Sequence, residues 1–213
     1  MITIDRRMHR AGDRGWLVDV VPQHIPAWIA AVRASDWSAL LEDVVPAAAS
    51  ILFTAHRPHD MSDLEAHVVE LLTDNSLTEH AEQQHGRTIT IPVVYDGEDI
   101  ADVAAGLDIT VDEVASCHSE SIHTVGFFGF APGFAYIDGC PDQLALPRRM
   151  SPRPRVDGGA IAIAGTQTVV YPGGTPGGWH IIGHTDVVLW NTSWDNPSRL
   201  SVGDRVVFEW VVR

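Results

Sequence analysis

Residues 126–185 read GFFGFAPGFAYIDGCPDQLALPRRMSPRPRVDGGAIAIAGTQTVVYPGGTPGGWHIIGHT, and the fold of the chain turns on this stretch. Glycines recur in it where a backbone must turn sharply or lie close to a neighbour. Prolines stiffen the connections between them. Helical periodicity largely disappears. Short apolar runs at 160–164, 168–171 and 181–190, and further on at 206–212, alternate with Gly/Pro turns. That spacing implies an antiparallel barrel or sandwich. Val202-Gly203-Asp204 reads as the tight turn into the last strand.

Upstream, residues 88–96 (TITIPVVYD) form a strand, followed by two short helices. The first covers residues 99–107; the second opens on Thr110-Val111-Asp112-Glu113, a capping box. Residues 73–87 are polar, nearly free of large apolar groups, and read as a linker. Before it, a strand at 15–21 leads to a helix with Ile25, Trp28, Ile29 and Val32 on one face. Strands at 40–45 and 50–55 follow, then a helix opening on the capping box Ser62-Asp63-Leu64-Glu65. This β-α-β-β-α order is that of a small ferredoxin-like domain. Residues 1–13 lack periodicity and read as a loose arm. The expectation is an α+β chain, with a small domain over residues 1–86 and a β-rich domain over 87–213.

The formal charge of −14 over 213 residues argues against a nucleic-acid partner and against an anionic membrane surface. The longest apolar runs fall short of a membrane span, and the opening residues lack a signal-peptide pattern. Cys117 and Cys140 form no CxxC pair, which suits a reducing cytoplasm. The sequence contains no lysine. Schiff-base chemistry, a pyridoxal-phosphate anchor and a Walker-type phosphate loop, all of which need an amine, are thereby excluded.

Arg148, Arg149, Arg153 and Arg155 crowd into eight residues stiffened by Pro147, Pro152 and Pro154. Such guanidinium groups repel one another unless solvated or neutralised, so they read as a dock for a carboxylate, a phosphate or an acidic surface, or else as a solvated loop paired with acidic residues. Phe127, Phe130, Phe134 and Tyr136 stand among glycines, either as a pocket wall or as barrel core. Gln167 and Thr168 offer side-chain donors and acceptors after an apolar strand. His180 and His184 share a face if their stretch is a strand; no third ligand accompanies them, so no metal site is expected. No GxSxG elbow occurs.

Four ordered motifs then carry a resemblance: GFAPGFAY (129–136), LPRRMSPRPRV (146–156), AIAGTQT (162–168) and YPGGTPGGWHIIGHT (171–185). Together they resemble the KipI/PxpB family of 5-oxoprolinase subunits, also labelled allophanate hydrolase subunit 1. The resemblance implies a cyclophilin-like antiparallel β-barrel after the small N-terminal domain. It implies an obligate KipA/PxpC-type partner and, with a PxpA-type subunit, ATP-dependent opening of 5-oxo-L-proline to glutamate, with ATP and a divalent cation as cofactors. Other branches imply a urea carboxylase-type carboxyltransferase subunit or a non-catalytic histidine-kinase inhibitor. Carried over by position, the candidate substrate- or nucleotide-binding residues are Phe134, Tyr136, Arg148, Arg149, Arg153, Gln167, Thr168, Trp179 and His184.

Overall fold

In the computed structural model, residues 7–74 and 86–212 are described. The chain divides into two compact units, Met1–His85 and Gly86–Arg213. The linker expected at 73–87 falls almost wholly on residues 75–85, outside the described residues; Thr73 itself ends a helix.

The first unit contains strands β1 (Met8–Ala11), β2 (Gly15–Asp19), β3 (Leu41–Pro46) and β4 (Ser50–Ala55), and helices α1 (Ile25–Ala34) and α2 (Met61–Thr73). They form one antiparallel sheet in the order β1-β2-β4-β3. Strands β2 and β3 therefore run parallel with β4 between them and α1 crossing over, the split β-α-β unit of a ferredoxin-like fold. The expected loose arm is corrected. Met8 is buried, and residues 8–11 pair with residues 15–18 as the edge strand beside β2. The capping box expected at Ser62 is also corrected. A 3-10 turn at Pro58–Asp60 starts α2 one residue earlier, at Met61, with no side-chain cap. Ile25, Trp28, Ile29 and Val32 are buried as the helical spacing requires.

The second unit is built on a seven-stranded sheet: β5 (Thr88–Val93), β6 (His123–Phe128), β7 (Ala135–Asp138), β9 (Ala160–Ala164), β10 (Gln167–Val170), β12 (His180–His184) and β13 (Arg205–Trp210). Its order is β12-β9-β10-β7-β6-β13-β5, and β8 (Arg153–Val156) pairs separately with β11 (Thr175–Gly177). The ends of the large sheet are joined. The Val94 N–H donates to the His184 carbonyl at 3.0 Å and the His184 N–H to the Val94 carbonyl at 2.9 Å, closing a barrel. Only glycine fits beside this seam at position 97, where a Cβ would stand 2.3 Å from the Ile181 carbonyl oxygen. The barrel is not antiparallel throughout, because β13 and β5 pair in parallel along six residues.

Helices α3 (Ile100–Leu107) and α4 (Val111–Ser119) pack on the barrel; in α4 the Thr110–Glu113 capping box is formed as expected. One face of the sheet contributes Val93, Val125, Ile137, Ile161, Ile163, Ile182 and Phe208 to a core shared with these helices. The opposite face of β9, β10 and β12 buries Ala162, Val169 and Ile181 against Phe134, Tyr171 and Trp179. Strand alternation thus gives the barrel two apolar faces, and the second carries the candidate site. Among the described residues no helix is long and apolar enough to cross a membrane.

Candidate functional site

Strand β7 sends Ala135 and Ile137 into the shared core, so Tyr136 and Asp138 emerge on the opposite face. Tyr136 stacks on Phe127 with ring centroids 4.3 Å apart, and lies 5.0 Å from Phe134 and 5.8 Å from Trp179. Phe134 meets Tyr171 edge-on at 5.3 Å. The turn from Gly129 to Phe134 places Phe130 at the rim, 63% exposed and edge-on to Phe134. Its φ of 66° is costly for a bulky side chain, a strain of the kind that gathers at ligand sites. Gly133 makes the turn possible, since a Cβ there would lie 2.4 Å from the Trp190 ring.

Phe130, Phe134, Tyr136, Tyr171 and Trp179 line a cleft of about 280 Å³, walled by Pro152, Pro176, Gly177 and Gly178. Arg148 stands at its edge with its guanidinium 5.8 Å from the Trp179 ring centroid. No described carboxylate forms an ion pair with it. The cleft therefore offers flat apolar contact beside one exposed planar cation. Phe134, Tyr136, Arg148 and Trp179 come together here.

The remaining candidates lie elsewhere. Arg149 and Arg153 both donate to one Asp99 carboxylate oxygen, Arg153 at 2.7 Å, and the other oxygen accepts the Ile181 N–H at 2.7 Å. Burial alone would raise the Asp99 pKa, but the Arg153 hydrogen bond, the Ile181 N–H and both guanidinium charges hold it below the ordinary value. His184 faces a separate hollow of about 280 Å³, 2.5 Å from Asp96. Gln167 donates to Asp138 at 2.8 Å on the cleft face of the sheet.

Thr168 is fully buried on the other face. Its hydroxyl lies 2.9 Å from His118 Nε2, and His118 Nδ1 lies 2.7 Å from the Tyr95 hydroxyl. His123 Nε2 donates to the His118 carbonyl at 2.8 Å. Desolvation lowers the pKa of both imidazoles below 6.5, and buried Cys140, its thiol pushed up to about 12, is held as an inert thiol.

Those two histidines predict an acid-sensitive barrel. Below about pH 6.5 the unfolded chain binds protons that the folded chain refuses, so stability falls as pH drops; above it their contribution vanishes. The limiting slope is about 1.4 kcal/mol per pH unit for each histidine. Urea unfolding at pH 7.5 and pH 5.5 should show the lower midpoint at pH 5.5; equal midpoints would contradict it.

Sequence reading did not assign a role to Asp99, Asp138 or Tyr171. For Asp99 no local signal exists, because its partners lie 50 and 54 residues away.

Among known proteins, the family "Carboxyltransferase domain, subdomain C and D" matches residues 6–200. A 5-oxoprolinase subunit of Haemophilus influenzae, lettered B in that enzyme, is 44% identical over 126 residues, covering 58% of this chain and 59% of that protein. The protein of the same name from Escherichia coli O157:H7 is 39% identical over 184 residues, covering 85% of this chain and 83% of that one. A crystal structure of TTHA0988 superposes with a TM-score of 0.74 and 31% identity, covering 94% of this chain and 40% of that one. The matched region thus spans less than two thirds of the Haemophilus protein and of TTHA0988.

Proposed function

The chain belongs to the carboxyltransferase-domain family, subdomain C and D, and from that premise we propose that it is the PxpB-type subunit of an ATP-dependent 5-oxoprolinase, supplying one wall of a site that a partner subunit closes. The relatives named as 5-oxoprolinase subunits support this reading. The observation that carries it is the aromatic cleft with Arg148 at its edge. 5-Oxo-L-proline is a nearly flat five-membered lactam bearing one carboxylate. Its apolar ring matches the aromatic lining of the cleft, and its carboxylate matches a guanidinium fork. In this role the chain binds and orients the lactam and keeps water from its apolar edge.

The nucleotide fits this chain poorly. It has no lysine, Arg149 and Arg153 are engaged by Asp99, and no described group of three His, Cys, Asp or Glu residues is placed to hold a cation. We therefore assign ATP and its divalent cation to the KipA/PxpC-type or PxpA-type subunits. A carboxyltransferase-type subunit acting on a urea-like substrate is the second reading, favoured by the family's name.

Co-expression with KipA/PxpC-type and PxpA-type subunits separates the two. The expected result is ATP-dependent glutamate formation from 5-oxo-L-proline by the assembly and none by the chain alone. Turnover of urea or allophanate without turnover of 5-oxo-L-proline would replace the first reading by the second.

A further inference from the structure

We infer that Asp99 is a positioning residue for the cleft: through Arg149 and Arg153 it fixes the segment 146–153, which brings Arg148 and Pro152 to the ligand. This inference rests on the reading of the cleft as the substrate site.

The segment has little else to hold its shape. It lies between a 3-10 turn ending at Leu144 and β8, which begins at Arg153, and forms no helix of its own. Met150 at its tip is wholly exposed. Main-chain anchors stand at its start, where the Leu146 carbonyl accepts the Gly165 N–H at 2.7 Å and the Pro147 carbonyl accepts His180 Nε2 at 2.9 Å. The Arg149 N–H donates to the Gly178 carbonyl at 2.7 Å. No further backbone bond holds Met150, Ser151 or Pro152 among the described residues. These three residues are instead bracketed by two guanidinium groups that converge on one oxygen of Asp99.

Asp99 is suited to be the fixed end of this clamp. Its side chain is 3% exposed, against 31% for Arg149 and 19% for Arg153. Its second oxygen accepts the Ile181 N–H at 2.7 Å, while its own N–H donates to the Ile181 carbonyl at 2.9 Å. Asp99 is thereby tied to β12 through both its side chain and its main chain, at the start of α3. Glu98 also accepts a hydrogen bond from Arg153 Nε at 3.2 Å, but it is 74% exposed, so solvent weakens that contact. A rigid carboxylate held by one N–H from each of two guanidinium groups ties the segment down at two residues, where a one-to-one ion pair would hold it at one. Arg148, between the clamped Arg149 and the anchored Pro147, inherits that position over Trp179.

Hydrogen exchange and steady-state kinetics test the inference on the assembled complex. In Asp99→Asn, exchange of the residue-149 N–H, which is bonded to the Gly178 carbonyl, should accelerate at least tenfold, and KM for 5-oxo-L-proline should rise at least tenfold with kcat changed less than threefold. Arg149→Ala leaves Arg153 to neutralise Asp99 and so serves if Asp99→Asn does not fold. It should show the same local acceleration and a KM rise of threefold or more. A residue that merely stabilises the barrel would lower Tm and leave both readouts unmoved. Exchange within twofold of wild type in a folded variant, or an unchanged KM, would overturn the inference. If the wild-type assembly does not turn over 5-oxo-L-proline, the substrate reading fails on that result, and the exchange of the residue-149 N–H alone decides whether Asp99 holds the segment.

Discussion

Trp179→Ala should destabilise the barrel unit by about 3–5 kcal/mol, the usual cost of emptying a large buried aromatic site. Trp179 is 4% exposed and belongs to the apolar cluster on the cleft face of the sheet. Phe134 meets it near a right angle at 6.1 Å and Tyr136 at 65° and 5.8 Å. Neither ring can collapse into the vacated space without leaving its own contacts, so little of the loss is recovered. The same indole forms part of the cleft floor, so the substitution removes ligand surface together with stability. A Tm lower by roughly 10–20 °C is expected in thermal unfolding. A stability loss under about 1 kcal/mol would mean that Trp179 packs less tightly than its burial indicates.

Arg148→Ala should do the reverse. Arg148 is exposed and carries no described ion pair, so Tm should move by no more than a few degrees. Losing a hydrogen-bonded charge opposite a carboxylate costs about 1.5–3 kcal/mol, and kcat/KM for 5-oxo-L-proline should fall between roughly 10- and 150-fold. Arg148→Lys restores the charge without the fork and should recover only part of the loss. Full activity in Arg148→Ala, measured in the assembled complex, would remove this residue from the substrate site.

The two variants separate roles that sequence alone left together. The four arginines between 148 and 155 read either as a dock or as a solvated loop paired with acidic residues, and the fold divides them between the two. Arg149 and Arg153 grip buried Asp99, Arg155 lies exposed 3.7 Å from Asp157, and Arg148 turns to the cleft. Nothing local marks which arginine meets which carboxylate, because the partner lies some fifty residues earlier on a different element. Gln167 and Thr168 divide in the same way. Adjacent strand residues face opposite sides, so Gln167 joins Asp138 on the cleft face while Thr168 enters the network of His118.

What short-range chemistry determines was legible. Strand β9 falls where the AIAIA run predicts it, and the Thr110 box caps α4. The turn at Val202-Gly203-Asp204 forms with Gly203 at a φ of 90°. What depends on distant pairing was hidden. Residues 8–11 have no strand periodicity of their own and become a strand because β2 offers an open edge. The parallel register of β5 on β13 joins segments more than a hundred residues apart. Among the aromatics, the question of wall or core resolves by residue: Phe134 is buried, Tyr136 half-buried and Phe130 exposed at the rim.

A crystal structure of the assembled subunits with 5-oxo-L-proline tests the central claim most directly. The lactam ring is expected against Tyr136 and Trp179, with its carboxylate in hydrogen-bond contact with Arg148. A lactam bound entirely to another subunit, with this cleft filled by protein or facing open solvent, would contradict the account.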